Sequence, residues 1–364
     1  MELYKNTRIT FVFKKSRGLK QKQNSFPDDH YYSFFHFKKN FPNTSFIEMK
    51  ESGIVISFLF KIYRKFTTRP LYTENFLNIS TIIKIFNSDV LIITNQNQYY
   101  YIRPILKFIK IFKKIKICYF VMGLNENFQF SDKYLQNVFI KNVDHLLFLS
   151  IREFEYYKKT FSNDSLKFEF LPFGIDLKFW TRQKQTTTKE ILYVGSDLKR
   201  DVQFLKSLVS ELTDNIFNII SSRPELEELS TYNNVNYYSG SWENNNLSDL
   251  ELKKIMENSA VSIIPLLDTL QPSGQSVALQ SMALGVPVII TKTKGFWDSY
   301  LFRDNENIIF MDNNHLEIWA ESILNILNNN KLRTLIGKSG KEVVENNFSS
   351  GDTYLKLTKI LNLT

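Results

Sequence analysis

Cysteine is almost absent from this chain, since Cys118 is the only one among 364 residues. A single cysteine excludes an internal disulfide framework and a cysteine-based zinc site, and it fits a reducing compartment. Long apolar runs are also missing, because none reaches the ~18 residues that a membrane-spanning helix needs. The charged residues 1–10 do not resemble a signal peptide. We therefore expect a soluble, cytoplasmic protein.

Negative charge is scarce in the first half of the chain. Residues 1–180 contain 28 Lys and Arg against 15 Asp and Glu, whereas the remaining residues contain 18 against 22. A general compositional bias would affect both halves alike, so the imbalance indicates an anionic partner for the first half. A membrane surface and a nucleic acid both fit this pattern.

The length predicts two domains, because 364 residues exceed the usual size of one hydrophobic core. Short apolar segments, such as those at 8–13, 89–94 and 116–122, alternate with helical spacers, as in a parallel sheet covered on both faces. We predict an α/β fold with two Rossmann-like domains, at 1–180 and 181–345. A terminal helix at 346–364 is expected to pack back toward the first domain.

The most informative stretch lies between residues 260 and 300. It reads as an apolar strand, a loop around Gly274, a helix at about 276–284 and a second apolar strand. A helix start leaves several backbone N–H groups unpaired at the positive end of the helix dipole, and such a start binds phosphate. Ser273 and Ser276 can cap or donate there, and no carboxylate lies between residues 271 and 285. A plain helix cap explains the loop equally well when it is taken alone.

Charged residues also follow other predicted strands. Arg200 lies in the turn after a strand at 190–194, where a cation can meet a phosphate bound by the neighbouring helix. Asp28, Asp29 and His30 lie in the loop after the first strand, at the edge where doubly wound sheets bind ligands. A solvated loop explains these three residues about as well.

Together these segments make the chain resemble the two-domain GT-B glycosyltransferases, especially the large retaining group often called family 4. The resemblance rests on the ordered segments LPFGID, ILYVGSDLKRD, VSIIPL and SGQSVALQSMALGVPVIITKTKGFWD. It implies two Rossmann-like domains facing across a cleft, and transfer of a sugar from a nucleotide diphosphate sugar to an acceptor hydroxyl. The expected acceptor is a lipid-linked or cell-surface glycan precursor, with neither a metal nor a cofactor besides the donor substrate.

The resemblance also implies a donor site. Gly195 and Arg200 match the glycine and the basic residue that hold the donor's pyrophosphate, and the family's two glutamates fall on Pro272 and Gln280. Gln280 can still bond a ribose hydroxyl, whereas Pro272 leaves the donor sugar and the stereochemistry open. The residues expected to bind the nucleotide sugar are Gly195, Ser196, Lys199, Arg200, Trp242, Ser273, Gly274, Gln275, Ser276 and Gln280. For an inverting reaction, the base is expected among Asp28, Asp29 and His30.

A basic, apolar segment at 103–117 suggests where an anionic partner would bind. Its apolar residues follow helical spacing, and Lys107, Lys110, Lys113 and Lys114 provide a cationic flank that suits an anionic membrane face. An ordinary amphipathic helix packed on the sheet explains the same pattern. Other functions left open are a nucleic-acid-directed sugar transferase, a non-catalytic nucleic-acid-binding partner, and a sugar-nucleotide epimerase.

Overall fold

A computed structural model describes residues 6–20, 26–67, 70–124, 131–182, 188–240 and 247–363, without the side chains of residues 19 and 20. In these ranges the chain forms two six-stranded sheets, and all strand pairs within each sheet are parallel. Helices separate most consecutive strands, as the parallel connections require. The predicted α/β fold with two Rossmann-like domains is confirmed.

The first sheet has the strand order β2-β1-β3-β4-β5-β6. Its strands are β1 (Ile9–Phe13), β2 (Ser45–Glu48), β3 (Val90–Ile93), β4 (Lys116–Val121), β5 (His145–Phe148) and β6 (Phe168–Phe170). Strands β1 and β3 are buried at every position, which is why they read as continuous apolar runs rather than as alternating ones. In the register of the sheet, Phe11 lies between Phe46 and Ile92.

The helices of the first domain begin at local capping residues. The Asn78 side chain accepts the N–H of Thr81, and the Ser150 hydroxyl accepts the N–H of Glu153. The helices are α1 (Arg17–Lys20), α2 (Phe34–Asn40), α3 (Ile54–Thr67), α4 (Ile79–Asn87), α5 (Gln96–Phe112), α6 (Asp132–Leu135) and α7 (Ile151–Thr160). Shorter elements are three 3-10 helices, Asp29–Tyr31, Thr73–Phe76 and Ser162–Lys167, and a π-helix, Gln136–Ile140.

The second sheet has the order β12-β11-β10-β7-β8-β9. Its strands are β7 (Ile191–Val194), β8 (Phe217–Ser221), β9 (Val235–Ser239), β10 (Val261–Ile264), β11 (Val288–Thr291) and β12 (Ile309–Met311). The direction in which the sheet is built reverses between β7 and β10, which are neighbours. In open α/β sheets a ligand binds at such a reversal, outside the carboxyl ends of the strands.

One helix after this sheet reversal is almost entirely inside the protein. Of the nine residues of α10 (Gln275–Ala283), only Ser276 is not buried. The other helices of the second half are α8 (Val202–Glu211), α9 (Asp249–Asn258), α11 (Leu316–Asn328), α12 (Asn330–Asn347) and α13 (Ser350–Ile360), with a 3-10 helix at Pro224–Thr231. The sequence predicted α10 within one residue at each end.

The final helix, α13, contacts the first domain rather than the second sheet. The Ser33 hydroxyl donates to the Ser350 carbonyl oxygen at 2.7 Å, and Lys116 Nζ donates to the carbonyl oxygen of Leu361 at 2.8 Å. The chain therefore passes between the two domains once near residue 180 and again near residue 348. The preceding helix, α12, extends past the domain boundary that we predicted at residue 345, and the exact division of the domains stays a prediction.

The two domains share buried side chains. One apolar cluster includes Phe11 and Phe120 of the first sheet, Trp180 of the connection, and Ile264 and Leu279 of the second domain. Each domain also has a cluster of its own on the other face of its sheet. Among the described residues, no helix combines the length and the apolar character that crossing a membrane requires.

Candidate active site

A cavity of about 230 Å³ lies between the domains, at the carboxyl ends of the second sheet's strands. Its polar and charged lining residues include side chains from the β7 turn, from α9 and α10, and from the loop after β1. The lining consists of Pro27, His30, Trp180, Val194, Gly195, Ser196, Asp197, Arg200, Ile220, Gly240, Asp249, Leu252, Ser276, Val277 and Gln280. The position agrees with the general rule for ligand sites in open α/β sheets.

Arg200 is the central cation of this cavity. Its side chain is only 3% exposed, and Nε donates to Asp197 Oδ2 at 2.9 Å. Nη1 is buried and has no hydrogen-bond partner among the described residues. A buried guanidinium donor without an acceptor costs free energy, and an anionic ligand would satisfy it.

Two glycines make room for this guanidinium. A Cβ on Gly195 would lie 2.3 Å from Arg200 Nε, so no residue other than glycine fits there without moving the arginine. Gly274 has a φ of +79°, and a Cβ on it would lie 2.7 Å from Cγ2 of Ile264 and 3.5 Å from Arg200 Nη1. The turn after β7 and the start of α10 thus meet at the same side chain.

Asp197 balances the positive charge of Arg200. Besides pairing with Arg200, it accepts a hydrogen bond from the Ser273 hydroxyl at 3.2 Å. A second cation, Arg223, donates from Nη1 to the carbonyl oxygen of Asp197 at 3.3 Å. The sequence predicted a site free of carboxylates within 271–285, but Asp197 reaches it from a separate loop.

Helix α10 presents its amino end toward Arg200. Gly274 is the N-cap residue and has no side chain to offer, so the first-turn N–H groups depend on other acceptors. Gln275 does not face the cavity, because its Nε2 donates across the domain junction to the Leu149 carbonyl oxygen at 3.2 Å. A second junction bond joins Ile151 N–H to the Trp297 carbonyl oxygen at 2.9 Å.

Gln280 connects the cavity to the first domain. Its Nε2 donates to Asp29 Oδ2 at 2.7 Å, and Trp180 Nε1 donates to the same oxygen at 2.6 Å. Asp29 Oδ1 accepts the backbone N–H of Asp176 at 2.5 Å. Burial raises the pKa of Asp29 to about 7, and the three donors oppose that rise. Asp29 is thus a buried link between the domains and does not line the cavity.

Asp28 belongs to the same junction and also lies outside the cavity. Its Oδ2 is 3.6 Å from His36 Nε2, and burial together with the Asp176 charge raises the pKa of Asp28 to about 7. Burial lowers the pKa of His36. Of the three first-domain residues considered as a base, only His30 lines the cavity.

The remaining predicted donor-site residues differ in position. The Ser196 hydroxyl accepts the N–H of Ser222 at 2.8 Å and lines the cavity, whereas Lys199 does not line it. Trp242 lies outside the described residues. Sequence reasoning missed Asp249, a buried lining residue at the start of α9. The local signal for it was the capping sequence Ser248 to Glu251, which places Asp249 in the first turn of a helix.

Residues 188–329 match the family model described as "Glycosyl transferases group 1". The match lies in the second domain and covers less than half of the chain. Among curated proteins, the chain is similar to the lipopolysaccharide core biosynthesis glycosyltransferase LpsE of Rhizobium meliloti (strain 1021). The two are 33% identical over 102 residues, which are 27% of this chain and 29% of LpsE. The aligned region thus spans less than a third of LpsE.

Solved structures match the whole fold. HepE of Anabaena, crystallised in complex with UDP and glucose, has a TM-score of 0.68 at 10% identity, covering 98% of this chain and 100% of HepE. Sucrose-phosphate synthase from Thermosynechococcus elongatus has a TM-score of 0.70 at 14% identity, covering 98% of each chain. At such low identities the likeness concerns the fold, which is the two-domain GT-B arrangement. The relatives give no support to the nucleic-acid and epimerase alternatives.

Proposed function

We propose that this chain is a glycosyltransferase that moves a sugar from a nucleotide diphosphate sugar to the hydroxyl of an acceptor in glycan biosynthesis. The observation that supports it most is the buried Arg200 guanidinium, with Nη1 unpaired among the described residues, beside the amino end of α10 in an interdomain cavity. The group 1 match over the same domain gives the second line of support.

The proposed chemistry follows from where charge develops. As the bond between the sugar and the nucleotide diphosphate breaks, negative charge grows on the leaving phosphate. Arg200 and the first-turn N–H groups of α10 are fixed donors that would stabilise this charge without reorganising. We propose that they do so without a metal ion, so that turnover in a chelator equals turnover with added magnesium. Restoration of lost turnover by magnesium would contradict this part.

Gln280 is proposed to meet the ribose of the donor. Its Nε2 is held by Asp29, so its amide oxygen is the atom left to accept a hydroxyl donor in the cavity. We also propose the finer assignment to the retaining family 4 group, which rests on the order of the matching segments. Pro272 departs from the pattern of that group, which has a glutamate at this position.

His30 distinguishes the two stereochemical outcomes. An inverting reaction needs a base across the cleft, so His30→Gln would lower turnover by about 10²-fold or more. A retaining reaction needs no such base, and the variant would then keep most of its turnover. Nuclear magnetic resonance of the first-formed product gives the anomeric configuration independently.

The experiment that tests the function is a binding panel followed by a transfer assay. Nucleotide diphosphates and their sugars are added to the full chain, and the unfolding temperature is recorded. A true donor at ~100 times its dissociation constant stabilises the protein by ~2.7 kcal/mol. The best donor is then incubated with lipid-linked and soluble glycan acceptors. If no nucleotide diphosphate raises the unfolding temperature, the proposed function fails.

We further propose that the acceptor is lipid-linked and that the chain works as a peripheral protein on an anionic membrane. Support comes from the excess of 28 Lys and Arg over 15 Asp and Glu in residues 1–180.

A further inference from the structure

Helix α3 lies on the surface of the first domain with its apolar side chains in solvent. None of its 14 residues is buried in the described structure. The exposed fractions of Ile54, Phe58 and Phe66 are 89%, 60% and 82%. A helix of this length is marginal in water and normally gains its stability from an apolar face packed on the protein. The apolar side of α3 is therefore not packed against the described part of this chain.

Two further helices of the first domain also expose apolar side chains, and one of them shares a groove with α3. Leu59, Phe60 and Tyr63 of α3 face Pro104 of α5 across an apolar groove of about 460 Å³. Helices α4 and α5 lie on one face of the first sheet, because their buried residues belong to the same cluster. Their exposed apolar residues are Ile79, Ile83 and Phe86 in α4, and Phe108, Ile111 and Phe112 in α5. We call this surface the apolar face; patches of this kind mark interaction sites.

The charge around the apolar face is predominantly positive. Residues 54–115 contain ten Lys and Arg and only two Asp and Glu. Both acids are already paired, Glu74 with Arg64 at 2.5 Å and Asp89 with Lys113 at 3.1 Å. The surroundings of the apolar face are therefore cationic.

The mixture of lysine and apolar side chains decides between two kinds of partner. Lysine is depleted at the centre of protein interfaces, where its ammonium group would lose water. At a membrane surface, lysine extends its stem along the apolar side chains and keeps its charge among the headgroups. Lys61 and Lys65 lie within α3 itself, and Lys107 and Lys110 lie within α5. The composition fits an anionic bilayer better than a second protein.

We propose that α3, together with the exposed parts of α4 and α5, inserts into the headgroup region of an anionic bilayer and holds the first domain there. This surface would be the membrane contact of the proposed transferase. The proposal rests on the proposed function only to explain why the protein binds a membrane. Each lysine near an anionic leaflet raises the partitioning of the protein onto the membrane about fivefold, and salt weakens this electrostatic contribution. Burial of the apolar side chains adds a hydrophobic contribution that salt does not weaken.

The first test is sedimentation of the full chain with vesicles of phosphatidylglycerol and phosphatidylcholine, without any nucleotide. The triple variant Ile54→Gln, Phe58→Gln, Phe66→Gln should partition at least about tenfold less than the wild type. A matched control carries Leu166→Gln, Leu335→Gln and Leu355→Gln, at residues whose exposed fractions are 93%, 60% and 61%. The control should partition like the wild type. Equal partitioning of the two triple variants, or no sedimentation of the wild type, would overturn the proposal.

The second test measures insertion directly. Cys118 is fully buried, so a thiol-reactive fluorophore can be placed selectively on a Phe66→Cys variant. Its emission should shift to the blue with anionic vesicles and remain unchanged with pure phosphatidylcholine at physiological salt. If the label reports an apolar environment without vesicles in a concentration-dependent way, a second copy covers α3 and the proposal is wrong. UDP binding, measured without vesicles, tests the proposed function separately.

Discussion

Gly195 controls the position of Arg200. Any side chain at 195 begins with a Cβ, which would lie 2.3 Å from Nε and 2.6 Å from Cζ of the guanidinium. The guanidinium would have to move, so that it would lose its bond to Asp197 and Nη1 would no longer lie at the cavity. Replacing Gly195 by alanine can therefore abolish the role of Arg200 without changing Arg200 itself.

We expect Gly195→Ala to weaken nucleotide diphosphate binding by roughly 1.5 to 3 kcal/mol, the range for a hydrogen bond to a charged group. Arg200→Ala should have a similar effect, and the double variant should lose little more, because both changes remove the same contact. Calorimetry gives the affinities. The control is Gly53→Ala, since nothing lies within 4 Å of a Cβ at that position. A Gly195→Ala protein with wild-type affinity would separate Arg200 from the nucleotide.

Gln280 cannot be replaced by the glutamate that the resemblance led us to expect there. In Gln280→Glu, a second carboxylate would lie 2.7 Å from Asp29 Oδ2 in a buried junction. We expect a loss of roughly 2 to 4 kcal/mol of unfolding free energy at pH 8, and a smaller loss at pH 5, where the pair can share a proton. Urea denaturation at both pH values measures it. Wild-type stability at pH 8 would show that residue 280 does not face an ionised Asp29.

Three of the residues that the sequence predicted for the site meet around one side chain in the structure, and each belongs to a local pattern. Gly195 and Arg200 lie in one turn, and Gly274 precedes a helix, so their pattern is visible in a short window. The partners of these residues were not visible, because the bond from Gln280 to Asp29 joins residues 251 positions apart. We expected Asp29 to be a candidate base because its bonding partners are also distant in the sequence. Only the packed junction shows that three donors already bind its oxygens.

At the scale of elements, the junction between the loop after β1 and helix α13 responds to pH. Burial raises the pKa of Asp28 and that of Asp29 to about 7, from an ordinary value of 3.8. The folded state therefore holds these protons more tightly than the unfolded state. Their contribution to stability is complete below pH 3.8 and is lost as the pH rises through about 7.

We expect the unfolding free energy to fall by about 1 kcal/mol for each of these carboxyls between pH 6.5 and 8. His36 and His145 have lowered pKa values, so their opposite effect lies below this window. Asp28→Asn should remove about half of the decline, because its Oδ1 has no hydrogen-bond partner among the described residues. Urea titrations at four pH values measure the slope. An equal slope in the variant would contradict the assignment to Asp28.

Elements were predicted well where burial fixes both ends, and less well on the surface. Helix α10 matches its prediction because Gly274 and Gly285 bound a segment that is buried on almost every side. The helical spacing noted within the segment 103–117 belongs to α5, which ends at Phe112 but begins earlier than the segment, at Gln96. The lysine-rich repeat continues into β4, whose residues Ile117 and Cys118 pair with β3. The helix thus ends just before a strand, which the apolar segment at 116–122 had predicted.

At the scale of the molecule, the shared apolar cluster couples the two domains. We expect one unfolding transition in urea, with tryptophan fluorescence and far-ultraviolet circular dichroism coinciding. Leu357→Ala, at a fully buried residue of α13, should lower the unfolding free energy by about 2 to 5 kcal/mol for both signals. Leu355→Ala, at a residue with 61% exposure in the same helix, should change it little. Two separate transitions would show that the domains are stable independently.

The return of α13 to the first domain has a consequence for biosynthesis. The surface around Ser33 and Lys116 is completed by residues synthesised well over a hundred positions later. These pairs are 317 and 245 positions apart, so at ~5 to 20 residues per second a ribosome needs on the order of 10 to 60 s to make the intervening chain. Throughout that interval the nascent first domain exposes Phe37 and its neighbours, which later pack on Tyr354. Chaperone binding during translation should therefore concentrate on this surface and end when α13 emerges.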